Sequence, residues 1–273
     1  MIGAILGDII GSPYEFDRGN KSKDFPLFSD ESTYTDDTVM TIAVGKAFLE
    51  ALSAGTAAED DLISENLCRY MHQFGDMYPD AGYGVRFYEW LHTPDAGPYG
   101  SLGNGSAMRV SSVAWLYDNI DDVRHAAKLS AKTTHNHPEG IKGAEATASA
   151  IFMARTGCSK AEIKAYIENE FGYSLDRSCD EIRPGYYHTE TCMETVPEAI
   201  TAFLEGNSFE DVIRTAVSLG GDCDTLTAIA GSIAEGYYGI PDNLKEECHN
   251  RLPDPLRDVL KYFEKHLEEQ KAW

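Results

Sequence analysis

Two short stretches of the chain concentrate hard oxygen ligands. Thr35-Asp36-Asp37-Thr38 sets two adjacent carboxylates between two hydroxyls. Gly220-Gly221-Asp222-Cys223-Asp224-Thr225 sets two carboxylates at i and i+2 in a glycine-hinged turn, with a further oxygen from Thr225. Each directly precedes an apolar, helix-patterned segment. Acidic and hydroxyl residues at a helix start meet free N–H groups and the positive end of the dipole, so capping accounts for either stretch taken singly. Two carboxylates with flanking hydroxyls exceed what one cap uses, and the pattern occurs twice. Oxygen donors at that density suit Mg²⁺ or Mn²⁺. Together the clusters predict a two-metal site at loop–helix junctions, with a bridging water as nucleophile. The D-x-D metal motif of nucleotide-sugar glycosyltransferases is a rival reading of 222–224, but it belongs at strand ends of α/β folds.

Other residues offer weaker signals. Gly103-Asn104-Gly105-Ser106 and Gly82-Tyr83-Gly84 each run into a helical pattern. A glycine-rich turn there presents backbone N–H groups to an anion or to sugar hydroxyls, or is simply a turn. Thr134-His135-Asn136-His137-Pro138 contains H-x-H, yet zinc needs further ligands and the other histidines form no matching cluster. Cys223, between two aspartates, reads as a small buried residue, since no base motif accompanies it.

The elements that must position these residues are helical. In 37–52 apolar residues at Met40, Ala43, Val44, Ala47, Phe48 and Ala51 follow a 3-and-4 spacing, widened by Val39, Ile42, Leu49 and Leu52. Similar patterns cover 60–74, 85–91, 107–117, 123–134, 140–155, 161–171, 196–204, 209–219, 225–238, 244–252 and 256–269. Ser159 and Ser208 suit N-caps, with Glu162 and Asp211 at capping-box spacing, and Pro138, Pro197, Pro241 and Pro255 suit first turns. His137 reads as a helix-entry residue with no ligand role. Strand signals are nearly absent, so the expected fold is all-α. Small-residue runs at 143–150 and 228–232 let helix axes approach closely, as in a compact orthogonal bundle. No repeat or long linker appears, and 1–273 reads as one domain. Loops at 17–34, 76–83, 93–104 and 175–190 are the expected carriers of binding residues. The run 264–271 reads as a solvated helix face.

Composition narrows the function classes. The chain has 273 residues, 42% hydrophobic and 25% charged, with a formal net charge of −22. That acidity argues against a nucleic-acid surface, which needs a cationic footprint, and against an anionic membrane. The apolar start is interrupted by Asp8 and Glu15 and has no basic region, and no run is long enough to span a bilayer. Six scattered cysteines without C-x-x-C read as reduced, mostly buried thiols of a cytoplasmic protein.

Read in order, five motifs resemble the ADP-ribosylglycohydrolase family. They are Gly7-Asp8-Ile9-Ile10-Gly11 followed by Glu15; Thr35-Asp36-Asp37-Thr38; Gly103-Asn104-Gly105-Ser106-Ala107-Met108-Arg109; Thr134-His135; and Gly220 to Thr225. Each motif is weak alone, but five in the family's order are specific. The resemblance implies an all-α fold with two divalent cations, Mg²⁺ or Mn²⁺, cleaving the C1″ glycosidic bond of ADP-ribose conjugates. It makes Thr35, Asp36, Asp37, Asp222, Asp224 and Thr225 the metal ligands, with Asp36, Asp37 and Asp222 catalytic through that centre. Glu15 would be the acid/base group or a substrate gate. Gly103, Asn104, Gly105 and Ser106 would contact ligand. Outside those motifs, the Gly82-Tyr83-Gly84 turn is read from its own glycines as a cradle for the pyrophosphate, with Tyr83 near adenine or ribose or else a packing residue. His135 would reach the diphosphate or distal ribose. The expected substrate is an ADP-ribosylated protein or small conjugate, with arginine the first acceptor and an O-linked seryl or acetyl acceptor the alternative. A non-catalytic ADP-ribose-binding protein is the reading from another class. The chain is expected to act as a monomer. Because ADP-ribose is anionic, a chain of this charge must supply local attraction from glycine-turn N–H groups, His135 and the metals.

Overall fold

The computed structural model describes residues 1–19, 21–53 and 60–271. The helices run in order α1 Ile2–Gly11, α2 Asp36–Ser53, α3 Asp60–Met77, α4 Val85–Leu91, α5 Gly105–Met108, α6 Val113–Leu116, α7 Ile120–Lys132 and α8 Pro138–Arg155. They continue as α9 Lys160–Phe171, α10 Cys179–Ile182, α11 Cys192–Glu205, α12 Phe209–Val217, α13 Cys223–Tyr238, α14 Asp242–Arg251 and α15 Asp254–Lys271. The described residues contain no strand, and the sole β-bridge among them joins Gly103 to Thr191. The all-α expectation is therefore what the chain builds. Among the described residues no helix is long and apolar enough to cross a membrane.

The centre of the molecule is the segment to which no periodicity assigned an element. All ten residues of α1 are buried, Asp8 included. A short helix apolar on every face leaves no polar stripe for a pattern to report. α1 packs most extensively on α13, and the two cross at backbone contact. A Cβ on Gly3 would fall 2.2 Å from the Gly231 carbonyl oxygen, one on Gly7 would fall 2.3 Å from that of Thr227, and one on Gly11 would fall 2.7 Å from Asp224 Cα. Glycine at i, i+4 and i+8 is thus a row that α13 presses against. The predicted small-residue run at 228–232 supplies its partner, Gly231.

Boundaries carry several corrections. The expected helix 107–117 is two short helices, α5 and α6, and the intervening turn buries Arg109, Ser111 and Ser112. Apolar residues on both sides keep helical spacing, so the pattern is blind to the break. The short α10 lies in what read as a loop, entered by a Ser178–Glu181 capping box. Pro197 is inside α11 rather than in its first turn, because that helix already begins at Cys192. Pro241 is the N-cap residue of α14 rather than within it. Ser159 and Glu162 form the full capping box. Ser208 accepts from Asp211 N, but the Asp211 carboxylate turns to Asn207 N instead. Pro138 opens α8, and His137 caps it through its ring nitrogen. All six cysteines are free, four of them buried.

The backbone contact predicts a large effect from a single methyl. Gly7→Ala should cost about 2–3 kcal/mol and lower Tm by roughly 5–10 °C, because only a shift of α1 against α13 makes room. Gly185→Ala, where a Cβ would meet nothing within 4 Å, should melt close to the parent protein in the same differential scanning measurement.

Candidate active site

The α1–α13 crossing brings the two acidic stretches together. Asp8, fully buried in α1, receives four hydrogen bonds from the entry of α2. Its Oδ2 accepts from Thr35 N (2.9 Å), Thr38 N (3.0 Å) and the Thr38 hydroxyl, and its Oδ1 accepts from the Thr35 hydroxyl (2.7 Å). One carboxylate thereby satisfies several donors of a helix start. Asp36 and Asp37 follow in the first turn of α2. On the other side, Gly220 and Gly221 take φ of +78° and +76°, a left-handed pair that only glycine adopts without strain. They deliver Asp222 to the N-cap of α13 and Asp224 to its first turn. The stretches touch where the Thr225 hydroxyl donates to Asp37 Oδ2 at 3.1 Å. Thr35 and Thr225 both spend their hydroxyl hydrogens on carboxylates, which leaves oxygen lone pairs for another partner.

The resulting electrostatics are unfavourable without a cation. Asp37, Asp222 and Asp224 are buried, and Asp36 is partly so. Burial, then the Asp224 charge, pushes Asp36, Asp37 and Asp222 well above the usual carboxylate range. The same two causes take Asp8 up to about 7 and Glu15 up to about 8. Like charges drawn out of water raise each other's cost of ionising. Asp37 Oδ1 is buried and has no hydrogen-bond partner. A set of crowded carboxylates with an orphaned oxygen is the condition that divalent cations relieve, so the donors fit such ions.

A cavity of about 480 Å³ opens over this cluster, a volume in the range of small-molecule sites. Glu15, Asp36, Asp37, Asp222, Asp224 and Thr225 line it, as do Gly82, Tyr83, Gly84, Gly103, Asn104, Gly105 and His135. Thirteen expected residues therefore meet at one place, from six separated parts of the chain. Two do not face it. Thr35 is not among the lining residues, and its N–H and hydroxyl donate to Asp8. Ser106 is fully buried and donates to the Gly140 carbonyl at 2.7 Å, so its hydroxyl serves helix packing. Asn104 is engaged as well: its amide donates to Asp222 Oδ2 (2.6 Å) and Thr195 Oγ1 (3.0 Å), which makes it a brace for Asp222. Gly82 takes φ +98° and Gly84 caps α4 with its backbone. Tyr83 packs on Phe87 with ring centroids 5.7 Å apart, and its buried hydroxyl has no partner.

Four further residues belong to the site. Asp8 was visible as a motif but carried no role, because its role is made by contacts 27 and 30 residues away. Arg86 and Arg109 line the cavity and add positive charge to the attraction expected from the glycine turns, His135 and the metals. Arg86 sits over the Tyr99 ring at 4.8 Å and donates to the Tyr99 carbonyl. His188 is a residue that the motifs did not single out. It offers one ligand atom that lies within 4.8 Å of one each from Glu15 and Asp222. Among the described residues this trio is the set gathered that tightly; Asp36, Asp37 and Asp224 ring the same cavity more loosely. His188 packs at a tilt on Phe16, 4.7 Å between centroids, just past Glu15. Spacing could not reveal it, since it lies in an irregular segment far from both aspartate stretches.

The ADP-ribosylglycohydrolase family model matches residues 1–272. Mouse ADP-ribosylhydrolase ARH3 is 28% identical over 328 residues, covering 91% of this chain and 86% of the mouse protein. The human ARH3 protein is 27% identical, covering 91% and 87%. ADP-ribosylarginine hydrolase Tri1 of Pseudomonas putida (strain GB-1) is 25% identical, covering 88% of this chain and 70% of its own length. A solved structure titled ADP-ribosylglycohydrolase-related protein complex superposes with a TM-score of 0.66 at 25% identity, covering 94% of both chains. With its carboxylate cluster and cationic wall in one cavity, the chain is an enzyme of the ADP-ribosylglycohydrolase family, acting on ADP-ribose glycosidic linkages.

Proposed function

We propose that this protein uses two divalent cations, Mg²⁺ or Mn²⁺, to hydrolyse the C1″ glycosidic bond of ADP-ribose conjugates, with ADP-ribosyl-arginine the first acceptor. The observation that carries the reading is a cavity in which buried carboxylates from α2 and α13 face the same space as Arg86, Arg109 and His135. ADP-ribose has matching halves, a polyhydroxyl sugar at the bond to be cut and an anionic diphosphate. Thr35, Asp36, Asp37, Asp222, Asp224 and Thr225 would hold the ions. Bound there, the ions would orient ribose hydroxyls and acidify a water toward hydroxide. The chain's own groups do the rest. Asp8 fixes the 35–38 turn, Asn104 fixes Asp222, and Glu15 stands beside Asp222 at the lining, placed to move a proton to or from the reacting oxygen or nitrogen. Gly103 and Gly105 let ligand approach the backbone, while His135 and the two arginines draw the diphosphate against the overall acidity.

The lining supports the arginine acceptor. Glu15, Glu190 and Asp222 make it acidic, which favours a cationic guanidinium leaving group, and the similarity to Tri1, an ADP-ribosylarginine hydrolase, supports this. An O-glycosidic acceptor, seryl or acetyl, is the second reading. The ARH3 relatives, not named for arginine, align over 86% and 87% of their own length, against 70% for Tri1. One continuous hydrophobic core supports reading 1–273 as a single domain, and six free cysteines support a cytoplasmic setting.

Asp36→Asn/Asp37→Asn and Asp222→Asn should each abolish ADP-ribose release while the protein stays folded; full activity in either would overturn the two-metal reading. A panel of Arg-, Ser- and acetyl-linked substrates assayed with Mg²⁺ and with Mn²⁺ reads the acceptor directly, and binding of free ADP-ribose without turnover of any would mark a non-catalytic binder. Metal-free protein should also report its crowded carboxylates through pH. Folded Asp8 and Glu15 hold protons up to about 7 and about 8, whereas unfolded carboxylates release them near pH 4. The folded state thus binds more protons between those limits, and stability falls as pH rises from about 4 to 8. Tm of EDTA-treated protein should drop across that window, and Mg²⁺ or Mn²⁺ should flatten the curve. An EDTA-treated Tm that is flat or rises would refute the assignment.

A further inference from the structure

At the cavity wall, a buried cation, a hydroxyl and an imidazole stand in line. Arg109 is 1% exposed and its Nε has no hydrogen-bond partner. Its Nη2 donates to the Ser130 carbonyl (3.2 Å) and to Thr134 Oγ1 (2.8 Å). Thr134 Oγ1 lies 2.7 Å from His135 Nδ1. Thr134 is fully buried and His135 nearly so.

The order of these contacts determines where the protons are. A guanidinium only donates, so Thr134 Oγ1 is an acceptor toward Arg109. The threonine hydrogen then needs an acceptor of its own, and among the described residues His135 Nδ1 is the one in reach. A proton on Nδ1 would leave that hydroxyl hydrogen buried without a partner, a cost of about 1–3 kcal/mol. It would also aim a second donor at an oxygen already facing a cation. Nδ1 is therefore the acceptor, and the imidazole proton sits on Nε2. Nε2 faces the cavity beside the glycine turn: a Cβ on Gly105 would fall 3.0 Å from it, and one on Gly103 would fall 3.5 Å away.

We propose that Arg109 and Thr134 are positioning residues that lock His135 as a neutral Nε2–H donor, aimed at an anionic or hydroxyl oxygen of the ligand. Burial and the Arg109 and Arg86 charges hold His135 well below the usual histidine range, which keeps the ring neutral. Arg109 acts without touching the ligand oxygen, and Thr134 transmits its direction. The ligand half of the proposal rests on the ADP-ribose reading above; the proton placement does not.

Long-range ¹H–¹⁵N correlation of the histidine rings, with His135→Gln for assignment, tests the placement in the unliganded protein. Nε2 of His135 should resonate as the protonated nitrogen and Nδ1 as the bare one; a protonated Nδ1 overturns the relay. Thr134→Val should mix the tautomers and weaken the Kd for ADP-ribose about ten-fold, the loss of one hydrogen bond to a charged group. Thr134→Ser should restore both. A Thr134→Val protein that keeps the parent tautomer and affinity also overturns the relay. If the parent protein shows the Nε2–H tautomer yet does not bind ADP-ribose, the proton placement is supported and the functional reading fails.

Discussion

The crossing of α1 over α13 at backbone contact sets where every other functional group stands. Gly3, Gly7 and Gly11 remove side chains from one face of α1, so α13 lies against the bare backbone. That closeness puts Asp8 near enough for Asp224 to raise its pKa. Asp8 in turn holds the 35–38 turn through two N–H groups and two hydroxyls. One steric constraint thereby brings the starts of α2 and α13 to a common point, and the carboxylates they carry converge as a consequence.

Convergence has an electrostatic cost, and the surrounding structure manages it locally. The chain is acidic overall, at −22, but the difficulty at the site comes from burial rather than from net charge. Asp37, Asp222 and Asp224 are each less than a tenth exposed, where like charges are poorly screened. Asn104 and Thr225 each offer a donor to this group, and Arg109 supplies a buried positive charge close enough to Asp36 to feel it. These contacts lower the cost without cancelling it. The remaining imbalance suits the site to cations, and a bound cation would give the folded chain a reason to keep so many carboxylates together.

Much of this was legible from residue types and spacing. The strongly patterned helices, such as α2, α8 and α13, stand within a few residues of where periodicity places them, and the acidic stretches sit at helix entries as capping chemistry requires. What misled was of two kinds. Where every face is apolar, as in α1, or where a turn preserves helical spacing, as between α5 and α6, the pattern has no term for the true geometry. Where a side chain is spent on a neighbour, as Ser106 is on Gly140 and Asn104 on Asp222, motif membership overstates its availability to ligand.

The amino-acid sequence by itself determined the helical class, the stretches where carboxylates and hydroxyls concentrate and the family the chain belongs to, because these rest on local propensity and on short motifs whose order survives without coordinates. Only the tertiary structure decided that Asp8 is the clamp of the α2 entry, that Arg86 and Arg109 form the cationic wall, and that His188 stands beside Glu15 and Asp222. Each of those roles is created by contact between segments far apart in the chain, and contact depends on how closely helices can approach. The physical reason lies in the glycine row of α1: its effect is the absence of atoms on one face, which acquires meaning only once α13 is pressed against it.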